Sequence, residues 1–310
     1  MDEPNLKAPG LYINRELSLL EFNARVLAQA ADESVPLLER VRFLAIASAN
    51  LDEFFEIRVS GLKQRVELGS SQPGPDGLTP QEQLGAIAHR ARDLVTGQYR
   101  LLNDVLRPAL EAERLGLVAD RPPTAIRKWM REYFMSEVEP VLTPLALDPA
   151  RPFPRIQNKS LNFLVQLAGR DAYGRNASLA VVQVPRSLPR VIALGKAAGD
   201  DPHTLALLSR IIMTNIDRLF EGVEVQGCWQ FRVTRNSDLY VDDEEVDDLL
   251  RAVEGELAHR RYGAAVRLET SHDCPEPLVS FLRGQFALEP DDVYQAAGPV
   301  NLNRLMSLYD

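Results

Sequence analysis

The stretch that decides the fold is VRFLAIASANLDEFFEIRVSGLKQR, residues 41–65. It contains an apolar helical pattern that Ser48, Ala49 and Asn50 interrupt, and a second amphipathic pattern follows it. Asn50 and Glu53 have the spacing of a capping box, in which an N-cap side chain and a later glutamate satisfy each other's backbone amides. The stretch therefore predicts a helix that ends near Ser48, a sharp turn, and a new helix that Asn50 caps.

Residues 1–118 are predicted to be all helical. The predicted elements are a helix from a Ser18 cap to about Ala31, a helix opened by Pro36, the helix capped by Asn50, a loop over 69–79, and a helix from Thr79-Pro80-x-Glu82 to Leu115-Gly116 with a kink or break at Pro108. Four helices with short connections predict a helical bundle.

The composition changes at ADRPPT, residues 119–124, which predicts a boundary between a domain of residues 1–118 and a domain of residues 119–310. Beyond it the predicted helices cover 125–139, 202–220, 244–260 and 277–283, and the predicted strands cover 161–167, 178–184, 190–194, 224–234 and 265–269. This pattern predicts an α/β domain with a small mixed sheet. The expected fold class is therefore α+β and multidomain, with an all-α N-terminal helical bundle followed by an α/β domain.

Composition limits the function further. No apolar run reaches the roughly 20 residues of a membrane span. The N-terminus MDEPNLKAPG has no signal-peptide pattern, so a cytoplasmic protein without a transmembrane segment is expected. The net charge of −9 argues against a nucleic-acid partner and against binding of a polyanion over a broad surface, although a local basic pocket stays open. Cys228 and Cys274 lack the spacing of a metal or redox motif and are predicted to be reduced.

Seven strings of the sequence carry a family resemblance. They are YINRELSLLEFNARVL at 12–27, RFLAIASANLDEFFEIR at 42–58, PFPRIQNKSLN at 152–162, FRVTRNSDL at 231–239, RRYG at 260–263, VRLE at 266–269 and GPVNL at 298–302. Together they resemble the N-terminal domain and the head, or middle, domain of the polyphosphate kinases of the long bacterial type. Ordered strings over nearly the whole chain are far more specific than one short motif.

The resemblance implies that the two domains of this chain have separate roles in a longer enzyme. Residues 1–118 would form the roof of a nucleotide pocket, and residues 119–310 would form the head domain through which such enzymes make homodimers. The enzyme would transfer the terminal phosphoryl group of ATP to polyphosphate, reversibly, with a phosphohistidine and Mg²⁺ held by catalytic domains that lie beyond this chain. The 310-residue chain alone is then expected to be inactive. The alternative is a non-catalytic, stand-alone binding and dimerisation module with the same two domains.

Asn50 is the one candidate site residue, and it has two compatible roles. From the residues alone it is an N-cap, which typically contributes about 1 kcal/mol. The resemblance implies that it contacts the adenine of the nucleotide, and an amide suits a base edge because it offers both a donor and an acceptor. Asp52, Glu53 and Arg58 are expected to serve the helix dipole or surface ion pairs.

The remaining polar clusters have structural interpretations. Arg151, Arg155 and Lys159, with Phe153 and Asn158, form either an anion site or, by default, a packed connector between the domains. The acidic residues between Asp238 and Asp248 are interpreted as a solvated helix start rather than a metal site, because calcium-loop spacing is absent. The histidines are scattered and expected to be structural or exposed: His89, His203, His259 and His272. No catalytic residue and no metal ligand is predicted in this chain.

Overall fold

The computed structural model describes residues 5–119, 121–148, 151–168, 179–195, 204–236 and 263–309. The helices are α1 Arg15–Ala31, α2 Leu37–Glu53, α3 Ser60–Glu67, α4 Pro80–Leu101, α5 Arg107–Ala112, α6 Thr124–Tyr133, α7 Leu208–Thr214 and α8 Glu276–Gln285. The strands are β1 Thr143–Ala146, β2 Asn162–Ala168, β3 Leu179–Gln183, β4 Val191–Ala193, β5 Leu205–Leu207, β6 Glu224–Arg235, β7 Ala265–Ser271 and β8 Val293–Ala296. The predicted helix over 244–260 and the acidic residues between Asp238 and Asp248 lie outside the described residues.

Helix α1 begins earlier than predicted. The side chain of Asn14, not Ser18, caps it and accepts hydrogen bonds from the amides of Glu16 at 3.0 Å and Leu17 at 2.9 Å. Asparagine is among the strongest N-cap residues, so the first turn is already satisfied before Ser18 is reached. The predicted end at Ala31 is confirmed.

The predicted turn and cap at Asn50 are wrong. Helix α2 continues through Asn50 to Glu53, a π-helical turn spans Phe54–Val59, and α3 follows without a break. Ser48 and Asn50 are only modestly unfavourable inside a helix, and tertiary packing overrides such small propensities. The π turn adds a residue to the helical repeat, and both Phe54 and Phe55 are buried around it.

The fourth predicted helix is more continuous than expected around Pro108, but it ends at Ala112, a few residues before the predicted end at Leu115-Gly116. Thr79 and Glu82 form the predicted capping box at the start of α4. A second π-helical turn, Leu102–Leu106, connects α4 to α5, and Pro108 lies in the first turn of α5, where a missing amide is tolerated. Within residues 5–119 the structure therefore has three long helical rods instead of four separate helices: α1, α2 with α3, and α4 with α5.

The second part of the chain is a mixed six-stranded sheet with the order β1-β3-β2-β6-β7-β8. Its pairs are antiparallel except for the parallel pair of β7 and β8. Strands β2, β3, β4, β6 and β7 confirm the predicted strands. Leu205–Leu207 is a strand that pairs with β4 where a helix was predicted, and α7 begins only at Leu208.

The sheet is covered on both faces, and its last strands join the helical core. Phe163 and Val165 of β2 pack with α6 and α7, whereas Leu164 packs on the opposite side with α8. Tyr294 and Ala296 of β8 belong to the same buried cluster as the N-terminal helices. The helical part and the sheet therefore share apolar surface. No helix among the described residues combines the length and hydropathy that a membrane crossing requires.

Candidate functional site

Asn50 lies in the middle of a helix and is tied to the neighbouring helix. Its side-chain nitrogen donates to the side-chain oxygen of Asn23 at 3.1 Å, and Asn23 in turn donates to the backbone oxygen of Ala47 at 2.9 Å. Asn23 is only 4% exposed, whereas Asn50 is half-buried. The pair fixes α1 against α2, and Asn50 is the member that reaches the surface.

Three exposed apolar side chains lie on α1 and on the rod of α2 and α3, the helices that Asn23 and Asn50 join. The side chains of Leu19, Phe22 and Ile57 are 39%, 52% and 39% exposed, which is high for residues of this type. Leu19 and Phe22 precede Asn23 on α1, and Ile57 follows Asn50 on the rod of α2 and α3. A half-buried amide can bond the edge of a flat heteroaromatic ring, and exposed apolar side chains on the same helices are of the kind that covers a ring face.

Asp52 is the residue whose environment differs most from the sequence expectation. It is buried, and its carboxylate accepts from Arg232 Nη1 at 2.8 Å, from Arg232 Nη2 at 2.6 Å and from Arg267 Nη2. Glu269 completes the cluster, with its Oε2 2.5 Å from Arg232 Nε and 3.0 Å from Arg267 Nη2. Thr234 accepts from Arg267 at 3.0 and 3.2 Å. We call Asp52, Arg232, Arg267 and Glu269 the buried ion cluster.

The buried ion cluster carries no net charge, because two carboxylates face two guanidinium groups. Burial by itself would raise the pKa of Asp52, but the charges and hydrogen bonds of Arg232 and Arg267 outweigh it and hold the pKa below its ordinary value. The ring of Phe55 lies 4.5 Å from the guanidinium carbon of Arg267. The cluster therefore joins the helical part to strands β6 and β7 through charges that are excluded from water.

Lys159 and its neighbours form a packed connector, as the default interpretation predicted. Glu56 accepts from Lys159 Nζ and from Asn158 Nδ2, each at 2.5 Å. Phe153 packs edge-on against Phe281 and Phe286. The positive charge of Lys159 is thus already paired.

Arg58 is half-buried, and the two described histidines, His89 and His272, are exposed. Arg58 lies 3.9 Å from the carboxylate of Glu16. His89 is exposed and lies 3.9 Å from Asp93. His203 and His259 lie outside the described residues. Within the described ranges, no group of three or more His, Cys, Asp or Glu side chains is placed to hold a metal ion.

Sequence reasoning missed the buried ion cluster because its members are far apart in the chain. Asp52 is separated from Arg232 and Arg267 by 180 and 215 residues. One signal was present: all four members lie inside strings that carry the family resemblance.

These features define a protein of two packed parts, a helical part and an α/β sheet part, joined by a buried ion cluster. A family model described as "Polyphosphate kinase N-terminal domain" matches residues 12–118, and one described as "Polyphosphate kinase middle domain" matches residues 125–308. The chain belongs to the polyphosphate kinase family.

Known proteins agree with this assignment. A polyphosphate kinase of Pseudomonas putida is 51% identical over 98% of this chain, and one of Xylella fastidiosa is 50% identical over 97%. The crystal structure of polyphosphate kinase from Porphyromonas gingivalis superposes with a TM-score of 0.77 at 25% identity, covering 95% of this chain and 40% of that chain. The chain spans 42% of the P. putida protein and 43% of the X. fastidiosa protein.

Proposed function

We propose that this chain is the N-terminal and middle part of an enzyme that transfers the terminal phosphoryl group of ATP to polyphosphate, reversibly. In this proposal residues 1–118 form a domain that covers the adenine of the nucleotide, with Asn50 bonding the base. Residues 119–310 form a second domain that makes the dimer. The observation that carries the adenine role is the half-buried Asn50 amide on helices that also expose the apolar side chains of Leu19, Phe22 and Ile57.

The chemistry of the transfer is proposed to reside in the parts of the relatives that this chain does not cover. Phosphoryl transfer depends on positioning and on charge stabilisation around the phosphates, so a wall that fixes the base contributes to rate by orienting the nucleotide. Mg²⁺ and a phosphohistidine belong to those other parts in this proposal, and the complete enzyme would be cytoplasmic. The 310-residue chain alone should convert neither ATP nor polyphosphate, and turnover by the purified chain, free of contaminating kinase, would contradict this.

Self-association through the second domain is part of the same proposal. The apolar strands β2 and β3 are not available for such an interface, because they lie inside the sheet with their apolar side chains in two cores. A better candidate is the edge strand β1 and the turns before it, where Met135, Val141 and Leu145 are exposed. A specific interface there should bury more than about 1,000 Å². Sedimentation of the chain at increasing concentration tests this, and a strictly monomeric mass would contradict an autonomous dimer.

The adenine role of Asn50 is tested by a pair of substitutions that break the same hydrogen bond. Asn50→Ala and Asn23→Ala each remove the contact at 3.1 Å between the two side chains. Only Asn50→Ala also removes the amide from the surface. In the complete enzyme, Asn50→Ala should raise the KM for ATP by about 2- to 12-fold, the equivalent of one neutral hydrogen bond of about 0.5–1.5 kcal/mol.

Asn23→Ala is the matched control. It should lower thermal stability at least as much as Asn50→Ala, because Asn23 also loses its bond to Ala47, but it should leave the KM for ATP unchanged. Equal KM values in the wild type and in a folded Asn50→Ala enzyme would leave Asn50 with a packing role only.

A further inference from the structure

A small cavity on the sheet part gathers basic side chains from distant segments. Its walls include Lys159, Arg190, Ser209, Asn301 and Arg304, and its volume is about 30 Å³. A single water occupies about 10–15 Å³ of cavity volume, so the cavity has room for more than one polar atom of a ligand.

Arg190 and Arg304 line this cavity, and Arg186 is close enough to act electrostatically on both. Among the described residues, no carboxylate lies within ion-pair distance of Arg186, Arg190 or Arg304. Arg186 donates to the backbone oxygen of Asn158, and Arg190 donates to that of Pro185 at 3.2 Å. Lys159 is different, because Glu56 already pairs with it. The uncompensated charge therefore belongs to the arginines.

Burial and mutual repulsion act on the same arginines. Burial lowers the pKa of Arg190 to about 10, with Arg304 and Arg186 contributing, and burial together with Arg186 also lowers the pKa of Arg304. Arg190 remains a cation at neutral pH. Its Nη1 atom and the side-chain oxygen of Asn301 are buried without a hydrogen-bond partner among the described residues. The arrangement holds like charges and unsatisfied polar atoms together, and a bound anion would relieve both.

We propose that this cavity and its rim form a binding site for a phosphate oxyanion that carries two or more negative charges, with Arg190 and Arg304 as its main contacts and Arg186 at its edge. Guanidinium groups suit this ligand because their planar donors match phosphate oxygens in pairs. The site is local, which agrees with a chain whose net charge of −9 gives it no broad basic surface.

The phosphate could come from a free phosphate oligomer or from a nucleotide. The choice of phosphate as the anion rests on the proposed function, whereas the presence of an anion site rests on the charges and the cavity. Tripolyphosphate, orthophosphate and ATP are therefore the probes, each titrated calorimetrically into the 310-residue chain at one fixed ionic strength. If only tripolyphosphate binds, the site is assigned to a phosphate oligomer. If ATP binds more tightly than tripolyphosphate, the site is assigned to nucleotide phosphates.

Arg190→Gln and Arg304→Gln should each weaken tripolyphosphate or ATP binding by about tenfold or more, as expected for a charged hydrogen bond. Arg100→Gln is the matched control, because Arg100 is exposed on α4 and the substitution changes the net charge equally. It should leave the affinity unchanged. Asn50→Ala should also leave tripolyphosphate affinity unchanged, so that failure of the adenine role and failure of this site give different results.

A second measurement separates a binding role from a structural one. Without ligand at low ionic strength, Arg304→Gln should keep or raise the melting temperature, because it removes repulsion between cations. A lower melting temperature for Arg304→Gln would indicate a structural arginine and overturn the proposal. The proposal would equally be overturned if the wild type bound none of the three phosphates. It would also be overturned if Arg100→Gln weakened binding as much as Arg190→Gln and Arg304→Gln.

Discussion

Replacement of Asp52 by asparagine should destabilise the protein strongly, because it leaves a net positive charge in the buried ion cluster. Asparagine keeps the size of the side chain but supplies no charge, and Arg232 and Arg267 would then share only Glu269. Removal of one partner of a buried ion pair costs about 3–5 kcal/mol. The two arginines are each only 1% exposed, so water cannot replace the lost carboxylate.

The expected shift can be measured as a melting temperature. An entropy of unfolding of about 2.1 cal/mol/K per residue gives about 0.65 kcal/mol/K for the whole chain, so Asp52→Asn should lower the melting temperature by about 5–8 °C. Asp291→Asn is the control: Asp291 makes a 2.8 Å ion pair with Arg92, but the two side chains are 66% and 40% exposed. Exposed pairs contribute about 0–1 kcal/mol, so its melting temperature should fall by less than about 2 °C.

A double variant tests whether charge balance is the cause. Adding Arg267→Gln to Asp52→Asn restores a neutral cluster of Arg232 and Glu269, so the double variant should lose less stability than the two single variants added together. Simple additivity, or a loss for Asp52→Asn as small as that for Asp291→Asn, would refute the reasoning.

Two further predictions concern pH and capping. Because the pKa of Asp52 is below its ordinary value in the folded protein, its stabilising contribution is present above the ordinary pKa of about 3.9 and is lost as the pH falls through the lower folded value. The difference in melting temperature between wild type and Asp52→Asn should therefore be constant from about pH 5 to 7 and shrink in more acidic buffers; a difference that grows on acidification would contradict the assigned charge state. Thr79→Ala removes the capping box of α4 and should lower stability by about 1 kcal/mol, or about 1.5 °C, whereas Thr79→Ser should retain most of it; equal losses in denaturant titrations of both variants would exclude the cap as the cause.

Local signals predicted the elements whose structure is determined locally. The capping box at Thr79 and Glu82 was correct because both partners lie within one helical turn. The strands β2, β3 and β6 were correct because runs of apolar and β-branched residues lie in the buried middle of a sheet. β8 was missed because it is only four residues long and its burial depends on the N-terminal helices, which lie about 200 residues earlier in the chain.

The error at Asn50 has a different physical origin. It explains why the sequence named Asn50 as a candidate residue but did not predict its place inside a helix or the ion cluster at Asp52. A serine, an alanine and an asparagine in succession favour a helix end on propensity, but the difference amounts to roughly 1 kcal/mol and packing decides it. Here the side chain of Asn50 bonds Asn23 on another helix instead of its own backbone. The continued helix α2 places Asp52 against Arg267, and the π turn that follows places Phe55 against the same residue. The same uninterrupted rod thus carries the candidate nucleotide contact and the anchor to the sheet. A nucleotide bound at Asn50 would therefore contact a helix that the buried ion cluster anchors two residues later, at Asp52. Such anchoring gives a positioning residue the rigid support that it requires.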